Sequence, residues 1–223
     1  MKVTVIGEWG GFPKAGGASS GYLFQSGGFN LLVDCGSAVL SRLQQYVDVE
    51  DLHAVILPHY HHDHVADIGP LQHARLVKHH LGVKQPALPI YGHQLDQDGF
   101  ARLTHEPHTK GVAYDPNGTT HIGPFTITFL RTVHPAPCFA MRIRDSKHDV
   151  VYTADSAFQQ AFIPFAENAD LLISEANFYK GMDAAAAGHM TSIEAATIAE
   201  NAQVGSLLLT HLPHFGNPQQ LVE

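Results

Sequence analysis

The stretch "LPHYHHDHVADIG", residues 57–69, is the part of the chain that decides the fold. It places four histidines and one aspartate within the six positions from His59 to His64. The run "LHAVILPH" that leads into it is short and almost continuously apolar, as is typical of a strand buried on both faces. The stretch therefore begins where a buried strand ends, and the end of that strand carries His59.

The polar residues of this stretch have the spacing H-x-H-x-D-H. Neutral imidazoles and a carboxylate are suitable ligands for Zn²⁺ or a similar divalent ion, at roughly 2.0–2.2 Å. Alternate residues of an extended chain point the same way, so His59 and His61 can bind one metal together. Asp63 and His64 follow after the chain bends toward a helix and can face a second metal. This division leaves His62 as an outward-facing neighbour.

Strand-like and helix-like segments alternate along the whole chain, which predicts an α/β fold. There is no internal repeat and no linker-like tract, so we expect a single domain over residues 1–223. Residues 105–121 are rich in turn formers and are the least assignable segment. Side chains that follow the ends of strands can converge on one face of a sheet. The polar residues that directly follow an apolar strand-like run are His59, His134, Asp155 and His211.

Composition narrows the class of protein. Thirteen Lys and Arg against 21 Asp and Glu give a net charge of −8, which argues against a general nucleic-acid or membrane-surface binder. No stretch approaches the roughly 18 consecutive apolar residues of a membrane span, and the start lacks the apolar region of a signal peptide. Two cysteines are no disulfide framework. We therefore expect a cytoplasmic protein that does not act at a membrane.

Five motifs occur in a fixed order along the chain. They are "LLVDCG" with Asp34, the H-x-H-x-D-H stretch, "TVHPAP" with His134, "YTADSA" with Asp155 and "LLLTHLPH" with His211. In this order they resemble the metallo-β-lactamase superfamily, and the resemblance covers nearly the whole chain. It implies an αββα sandwich, in which two mixed sheets are flanked by helices, with a two-metal site along one edge.

The resemblance also implies which residues bind the metals, two divalent ions that we expect to be Zn²⁺, with Mn or Fe as alternatives. The ligands of one ion would be His59, His61 and His134, those of the other Asp63, His64 and His211, and Asp155 would bridge the two. Asp34 usually supports such a site by orienting a ligand, although a plain strand-end turn residue is an equal alternative.

Two ions roughly 3.5–4 Å apart would lower the pKa of a shared water from about 15.7 toward 7. The bridging hydroxide would then be the nucleophile of a hydrolase, and the ions would stabilise charge as it develops on the substrate. Asp63, which lies beside this nucleophile, could orient it or take its proton. Asp63 is thus both a metal ligand and a catalytic residue in this interpretation.

Three segments resemble the ribonuclease Z-like branch of the superfamily. They are the glycine-rich start "GGFPKAGGASSGYLFQSGGFNLLVDCG", the segment "PAPCFAMRI", and "GHMTSIEAATIAENAQVGSLLLTHLPH", which resembles an H-S-T-x-x-x-A segment. In the last, Thr191 and Glu194 form a T-x-x-E capping box that predicts the start of a helix. His189 would lie just ahead of this helix, where free N–H groups favour an anion. It would contact a substrate phosphate or protonate the leaving oxygen; a solvent-exposed loop histidine is the alternative.

The chain also departs from that branch. Ribonuclease Z carries H-E-A-T where this chain has "SEAN", so Ser174 replaces the histidine and a proton-relay partner is missing. The basic arm that grips transfer RNA is absent, and the acidic charge disfavours a large RNA. We therefore expect a phosphodiesterase that acts on a small phosphodiester, such as a cyclic nucleotide.

Two other functions stay open at this point. The same site could hydrolyse an acyl bond in a lactone or thioester, or the protein could be a non-catalytic metal-binding sensor. A homodimer is expected only because the resembling branch often dimerises.

Overall fold

Each half of the chain is built on its own six-stranded mixed sheet. The computed structural model describes residues 1–222 and divides the chain into two compact units, Met1–Tyr114 and the part from Asp115 onward. Within residues 1–222, the helices are all too short or too polar to cross a membrane. The expectation of a single domain over the whole chain stays a prediction.

The sheet of the first unit follows chain order from one edge to the other. Its first three strands pair antiparallel, and the remaining neighbours pair parallel. The strands are β1 (Lys2–Gly7), β2 (Gly21–Ser26), β3 (Phe29–Val33), β4 (Ala54–Ile56), β5 (Leu88–Gly92) and β6 (Thr109–Ala113). A two-residue turn joins β2 to β3, and both of its residues, Gly27 and Gly28, have positive φ. Glycine adopts this conformation without steric cost, which makes the tight hairpin feasible.

Helices of the first unit pack apolar side chains against this sheet. They are α1 (Val39–Leu43), α2 (His62–Val65), α3 (Ile68–His80) and α4 (Gln97–Ala101), with a one-turn 3₁₀ helix at Val49–Asp51. Leu71 of α3 joins a buried cluster with Leu32 and Val55 of the sheet. On the opposite side of α3, His73 and Val77 are exposed, as the 3.6-residue period of an amphipathic helix requires.

The sheet of the second unit is also mixed and also follows chain order from one edge to the other. Its strands are β7 (Thr119–Ile122), β8 (Phe125–Arg131), β9 (Phe139–Arg144), β10 (Asp149–Tyr152), β11 (Leu171–Glu175) and β12 (Leu207–Thr210). The helices are α5 (Phe162–Ala166) and α6 (Ser192–Asn201), with 3₁₀ turns at Ala185–Ala187 and Pro218–Leu221. β10, β11 and β12 run parallel to one another.

Parallel strands bring their carboxyl ends to one edge of a sheet, where α/β proteins place their ligands. In the first unit, Asp34 follows β3 and His59 follows β4 closely. In the second unit, Asp155 follows β10, Glu175 ends β11 and His211 follows β12. Each sheet therefore collects polar side chains at the carboxyl ends of its parallel strands.

Candidate metal centre

The first unit brings three histidines of the H-x-H-x-D-H stretch together. The ring centroids of His59 and His61 are 4.6 Å apart, and those of His59 and His64 are 4.2 Å apart. The ligand atoms of His59 and His61 lie within 4.8 Å of each other, as the alternation along an extended chain predicts. His59 is buried, and both His61 and His62 are exposed. Exposure of His62 is expected, because it was predicted to be an outward-facing neighbour of the ligands. One side of this cluster is thus open to an incoming ligand.

Asp34 fixes the orientation of His64. Its Oδ2 accepts a hydrogen bond of 2.9 Å from Nδ1 of His64, and both side chains are completely buried. Since an ionised carboxylate can only accept, Nδ1 carries the proton and Nε2 keeps the lone pair that a metal needs. Nε2 of His64 lies 3.5 Å from Oδ2 of Asp63. Asp34 thus orients the ring of His64, which is the contact that the ligand-orienting alternative requires.

The backbone around Asp34 is held in an unusual conformation. Its φ is 63°, in the left-handed region that non-glycine residues rarely adopt. In the second unit, Ala154, which precedes Asp155, and His211 have φ of 51° each. Residues held this way concentrate at functional sites, because the surrounding structure must compensate for the strain.

Asp63 is positioned by backbone groups from two loops. Its Oδ2 accepts a hydrogen bond of 2.8 Å from the N–H of Gly11, in the loop between β1 and β2. Its backbone carbonyl lies so close to Gly36 that a Cβ at that position would overlap the oxygen. The backbone of Asp63 is therefore tightly packed, and the N–H of Gly11 orients its carboxylate.

The second unit groups His134 and His211 around Asp155. Oδ2 of Asp155 lies 3.4 Å from Nε2 of His211 and 3.9 Å from Nε2 of His134. Two ligands of a tetrahedral Zn²⁺ at 2.0–2.2 Å are separated by about 3.4 Å. Nδ1 of His134 donates to the carbonyl of Gly188 at 3.1 Å, so its Nε2 keeps the lone pair that a metal needs. Imidazole and carboxylate donors at these separations fit a divalent ion of the zinc type.

Glu175 is a candidate functional residue that the sequence interpretation did not identify. Its Oε1 accepts a hydrogen bond of 2.9 Å from Nδ1 of His189, and its Oε2 accepts the N–H of Met190 at 3.0 Å. The sequence signal was present, because "SEAN" keeps the glutamate of H-E-A-T even though Ser174 replaces the histidine. The sequence predicted that a proton-relay partner is missing because Ser174 replaces the H-E-A-T histidine; in the structure Glu175 supplies a hydrogen-bonding partner for His189.

His189 lies among the other polar residues of the second unit. Its ring stacks on His211 with centroids 5.1 Å apart and meets His134 edge-on at 5.4 Å. Ligand atoms of Glu175, His189 and His211 lie within 4.8 Å of one another. Burial is the largest influence on the pKa of His189 and lowers it. The hydrogen bond and charge of Glu175, with the charge of Asp155, outweigh burial, so the pKa is raised above its usual value.

The helix start predicted next to His189 is present. Thr191 caps α6, accepting the N–H of Glu194 at 3.3 Å, and Oε2 of Glu194 accepts the N–H of Thr191 at 2.8 Å. This reciprocal pair is the capping box expected from T-x-x-E. It fixes His189 two residues ahead of the positive end of a helix.

Comparison with known proteins identifies the family of this chain. Residues 29–212 match the model of the β-lactamase superfamily domain. The chain is 63% identical over 216 residues, 97% of this chain and 88% of the relative, to "Probable metallo-hydrolase YhfI" from Bacillus subtilis (strain 168). It is 25% identical over 263 residues, 95% of this chain and 88% of the relative, to ribonuclease Z of Metallosphaera sedula.

Solved structures of similar proteins have the same fold as this chain. The crystal structure of YhfI from Bacillus subtilis, a metallo-β-lactamase fold protein, matches with a TM-score of 0.95 at 62% identity, covering 99% of this chain and 90% of that one. Human tRNase Z, short form, matches with a TM-score of 0.78 at 23% identity, covering 96% and 93%. The prediction of two mixed sheets with helices is confirmed. The chain belongs to the β-lactamase superfamily, as a metallo-hydrolase with the metallo-β-lactamase fold.

Proposed function

We propose that this metallo-hydrolase is a phosphodiesterase whose substrate is a small phosphodiester, such as a cyclic nucleotide. The observation that carries the proposal is the 2.9 Å hydrogen bond between Glu175 and His189, next to Asp155 and His211. It provides an oriented imidazole N–H beside the carboxylate and imidazole that the family resemblance assigns to the metals.

Two divalent ions, when bound, would supply a Lewis acid for the phosphoryl oxygens and an activated water as nucleophile. We assign their ligands as the family resemblance implies. One set is His59, His61 and His134; the other is Asp63, His64 and His211; Asp155 belongs to both. Within each unit, the donor types and separations described above support this assignment. Zn²⁺ is the first choice for such a set of imidazoles and carboxylates.

We assign to His189 the role of protonating the leaving group. Glu175 engages Nδ1, so the other ring nitrogen, Nε2, is the one that can donate to an oxygen of the substrate. A proton delivered there would allow the alkoxide to leave as an alcohol. Because Glu175 is fully buried and also accepts the N–H of Met190, the imidazole is held in one orientation.

We assign to Asp63 the role of orienting the attacking water. Its Oδ2 is engaged by the N–H of Gly11, which orients the carboxylate within its loop. A carboxylate fixed in this way can accept a hydrogen bond from a water and set the direction of attack without reorganisation.

A phosphodiester fits these groups better than an acyl substrate. A phosphodiester is anionic, and it gains from the positive end of α6, whose cap Thr191 lies two residues after His189. A neutral lactone or thioester draws no comparable benefit from that helix end. The net charge of −8 favours a small diester over a large RNA. A homodimer stays a prediction.

The test compares substrate classes. The metal-loaded protein is assayed with bis(p-nitrophenyl) phosphate, with an aryl thioester and with a lactone, before and after treatment with a chelator. We expect chelator-sensitive diester cleavage that exceeds the other two in kcat/KM. A protein that turns over the thioester or the lactone far better supports acyl hydrolysis. A metal-loaded protein inactive on all three supports the sensor function.

A further inference from the structure

The loop between β1 and β2, residues 8–20, presents one large aromatic side chain to solvent. Phe12 is 59% exposed, whereas Trp9 in the same loop is only 8% exposed. Trp9 is part of the buried interior and so is explained by folding. Phe12 contributes little to folding, because an aromatic ring stabilises a fold by leaving water, and its ring is available to a ligand.

The loop that carries Phe12 is held by several contacts of its own. The N–H of Trp9 donates to the carbonyl of Ala18 at 3.2 Å, and the N–H of Gly17 to that of Lys14 at 2.7 Å. The ammonium of Lys14 lies 4.6 Å from the centroid of the Trp9 ring, a cation–π distance. Gly17 packs so tightly on Trp9 that a Cβ there would come within 2.8 Å of the indole. These contacts restrict the loop and fix the position of Phe12.

The same loop is tied to a residue assigned to the reaction. The N–H of Gly11 donates to Oδ2 of Asp63 at 2.8 Å, and Phe12 is the next residue along the chain. Phe12 is therefore one residue away from a backbone N–H that binds the carboxylate we assign to the attacking water. The loop that carries this exposed ring thus borders the position that we assign to the phosphodiester.

The loop between β1 and β2 exposes an aromatic ring on which a planar group can stack, and it carries few charged residues. Lys14 is the only basic residue between positions 3 and 41, and its ammonium lies against Trp9. Aromatic rings on restricted loops bind planar groups with a small loss of conformational entropy. Every nucleobase has a face that can stack on such a ring.

We propose that Phe12 determines substrate specificity by stacking on the base of a nucleoside phosphodiester. This inference rests on the proposed phosphodiesterase function, and it names the substrate class of that site. It assigns no step of the reaction to Phe12.

The experiment uses the full-length, metal-loaded protein as wild type, Phe12→Ala, Phe12→Tyr and Leu81→Ala. Leu81 is a matched control because it is a large apolar residue, 75% exposed, at the end of α3. Two chromogenic diesters with one leaving group are compared, thymidine 5′-(p-nitrophenyl phosphate) and methyl p-nitrophenyl phosphate. Binding of adenosine 5′-monophosphate and of ribose 5-phosphate is measured by calorimetry, which requires no turnover.

We expect Phe12→Ala to lower kcat/KM for the thymidine diester roughly 5- to 100-fold, mainly through KM, as loss of one stacked base predicts. The methyl diester should change less than about twofold, and Phe12→Tyr and Leu81→Ala should behave as wild type on both substrates. In the binding arm, wild type should prefer the nucleotide to the sugar phosphate, and Phe12→Ala should lose that preference.

Two results overturn the inference. One is an equal effect, or none, of Phe12→Ala on the two diesters and the two ligands. The other is a change of oligomeric mass in Phe12→Ala with the base preference intact, which would make Phe12 a contact between copies of the chain. A wild-type protein that cleaves neither diester but binds the nucleotide through Phe12 contradicts the proposed function and leaves the stacking inference supported.

Discussion

Asp34 and His64 form a completely buried hydrogen-bonded pair, with Oδ2 of the carboxylate 2.9 Å from Nδ1 of the imidazole. The pair explains why an aspartate directly follows β3, twenty-five residues before His59. The carboxylate selects the tautomer in which Nε2 of His64 can bind a metal.

Replacement of Asp34 tests this relationship. We expect Asp34→Ala to weaken metal binding about 10- to 100-fold, the usual cost of losing a carboxylate that orients a ligating histidine. Metal affinity is measured by competition with a chromophoric chelator. Asp98→Asn, at an exposed position of α4, is the control and should bind metal as wild type does. Unchanged affinity in Asp34→Ala would show that the pair serves folding alone.

Removal of the carboxylate next to His189 tests the proposed catalytic roles. We expect Glu175→Gln, which can still contact His189 but carries no charge, to lower kcat about 10²- to 10⁴-fold, the usual contribution of acid–base catalysis. Metal content should stay at the wild-type value. His189→Ala should show a similar loss, and the double variant should lose little more, because the two residues act as one unit. Additive losses would contradict a shared role.

The close approach of Gly36 to Asp63 predicts a specific stability defect. A Cβ at Gly36 would overlap the carbonyl of Asp63, and overpacking of this kind costs about 1–3 kcal/mol or more. Gly36→Ala should therefore lower the free energy of unfolding in urea. Gly69→Ala is the matched control, since it lies in α3 with open space around it and should add up to about 1 kcal/mol. Equal effects of the two changes would contradict the packing described.

The buried His108 predicts a dependence of stability on acid. Burial lowers its pKa below 6.5, and nearby His79, His105, His80 and Arg75 lower it further. The unfolded chain then binds a proton more readily than the folded one. The free energy of unfolding should be unaffected by this group above about pH 6.5 and should fall as the pH drops below that value.

The variant His108→Gln tests this linkage. It should lose less stability than wild type between about pH 6.5 and 5, as followed by thermal unfolding over that range. His73→Gln, at an exposed position of α3, is the control and should follow wild type. A steeper loss of stability in His108→Gln than in wild type would contradict the assigned direction.

Much of the fold could be predicted from the sequence, because the strands that carry the candidate ligands are strongly apolar. β4 lies within the run "LHAVILPH" that was expected to form a buried strand, and α6 begins at the predicted capping box. The strands that could not be assigned, β6 and β7, each lie at one of the two edges of a sheet. Edge strands need fewer apolar residues, and "TKGVA" and "TTHI" therefore give little periodic signal.

The ligand candidates were predictable and their supporting contacts were not. His59, His61, Asp63 and His64 stand out by their spacing, since ligand type and order are written in the sequence. The pairing of Glu175 with His189 joins residues fourteen positions apart through a loop whose path depends on tertiary packing. Hydrogen bonds of this kind follow from the fold and leave no local pattern.

A metal titration of the metal-free protein, followed by hydrolysis of bis(p-nitrophenyl) phosphate, directly tests whether a two-metal site hydrolyses phosphodiesters. We predict that activity rises with added Zn²⁺ or Mn²⁺ and reaches its plateau at about two ions per chain, since the proposed ligands bind two ions. A plateau at one ion per chain would contradict the two-metal site. Diester hydrolysis that is absent at every metal ratio would contradict the phosphodiesterase function.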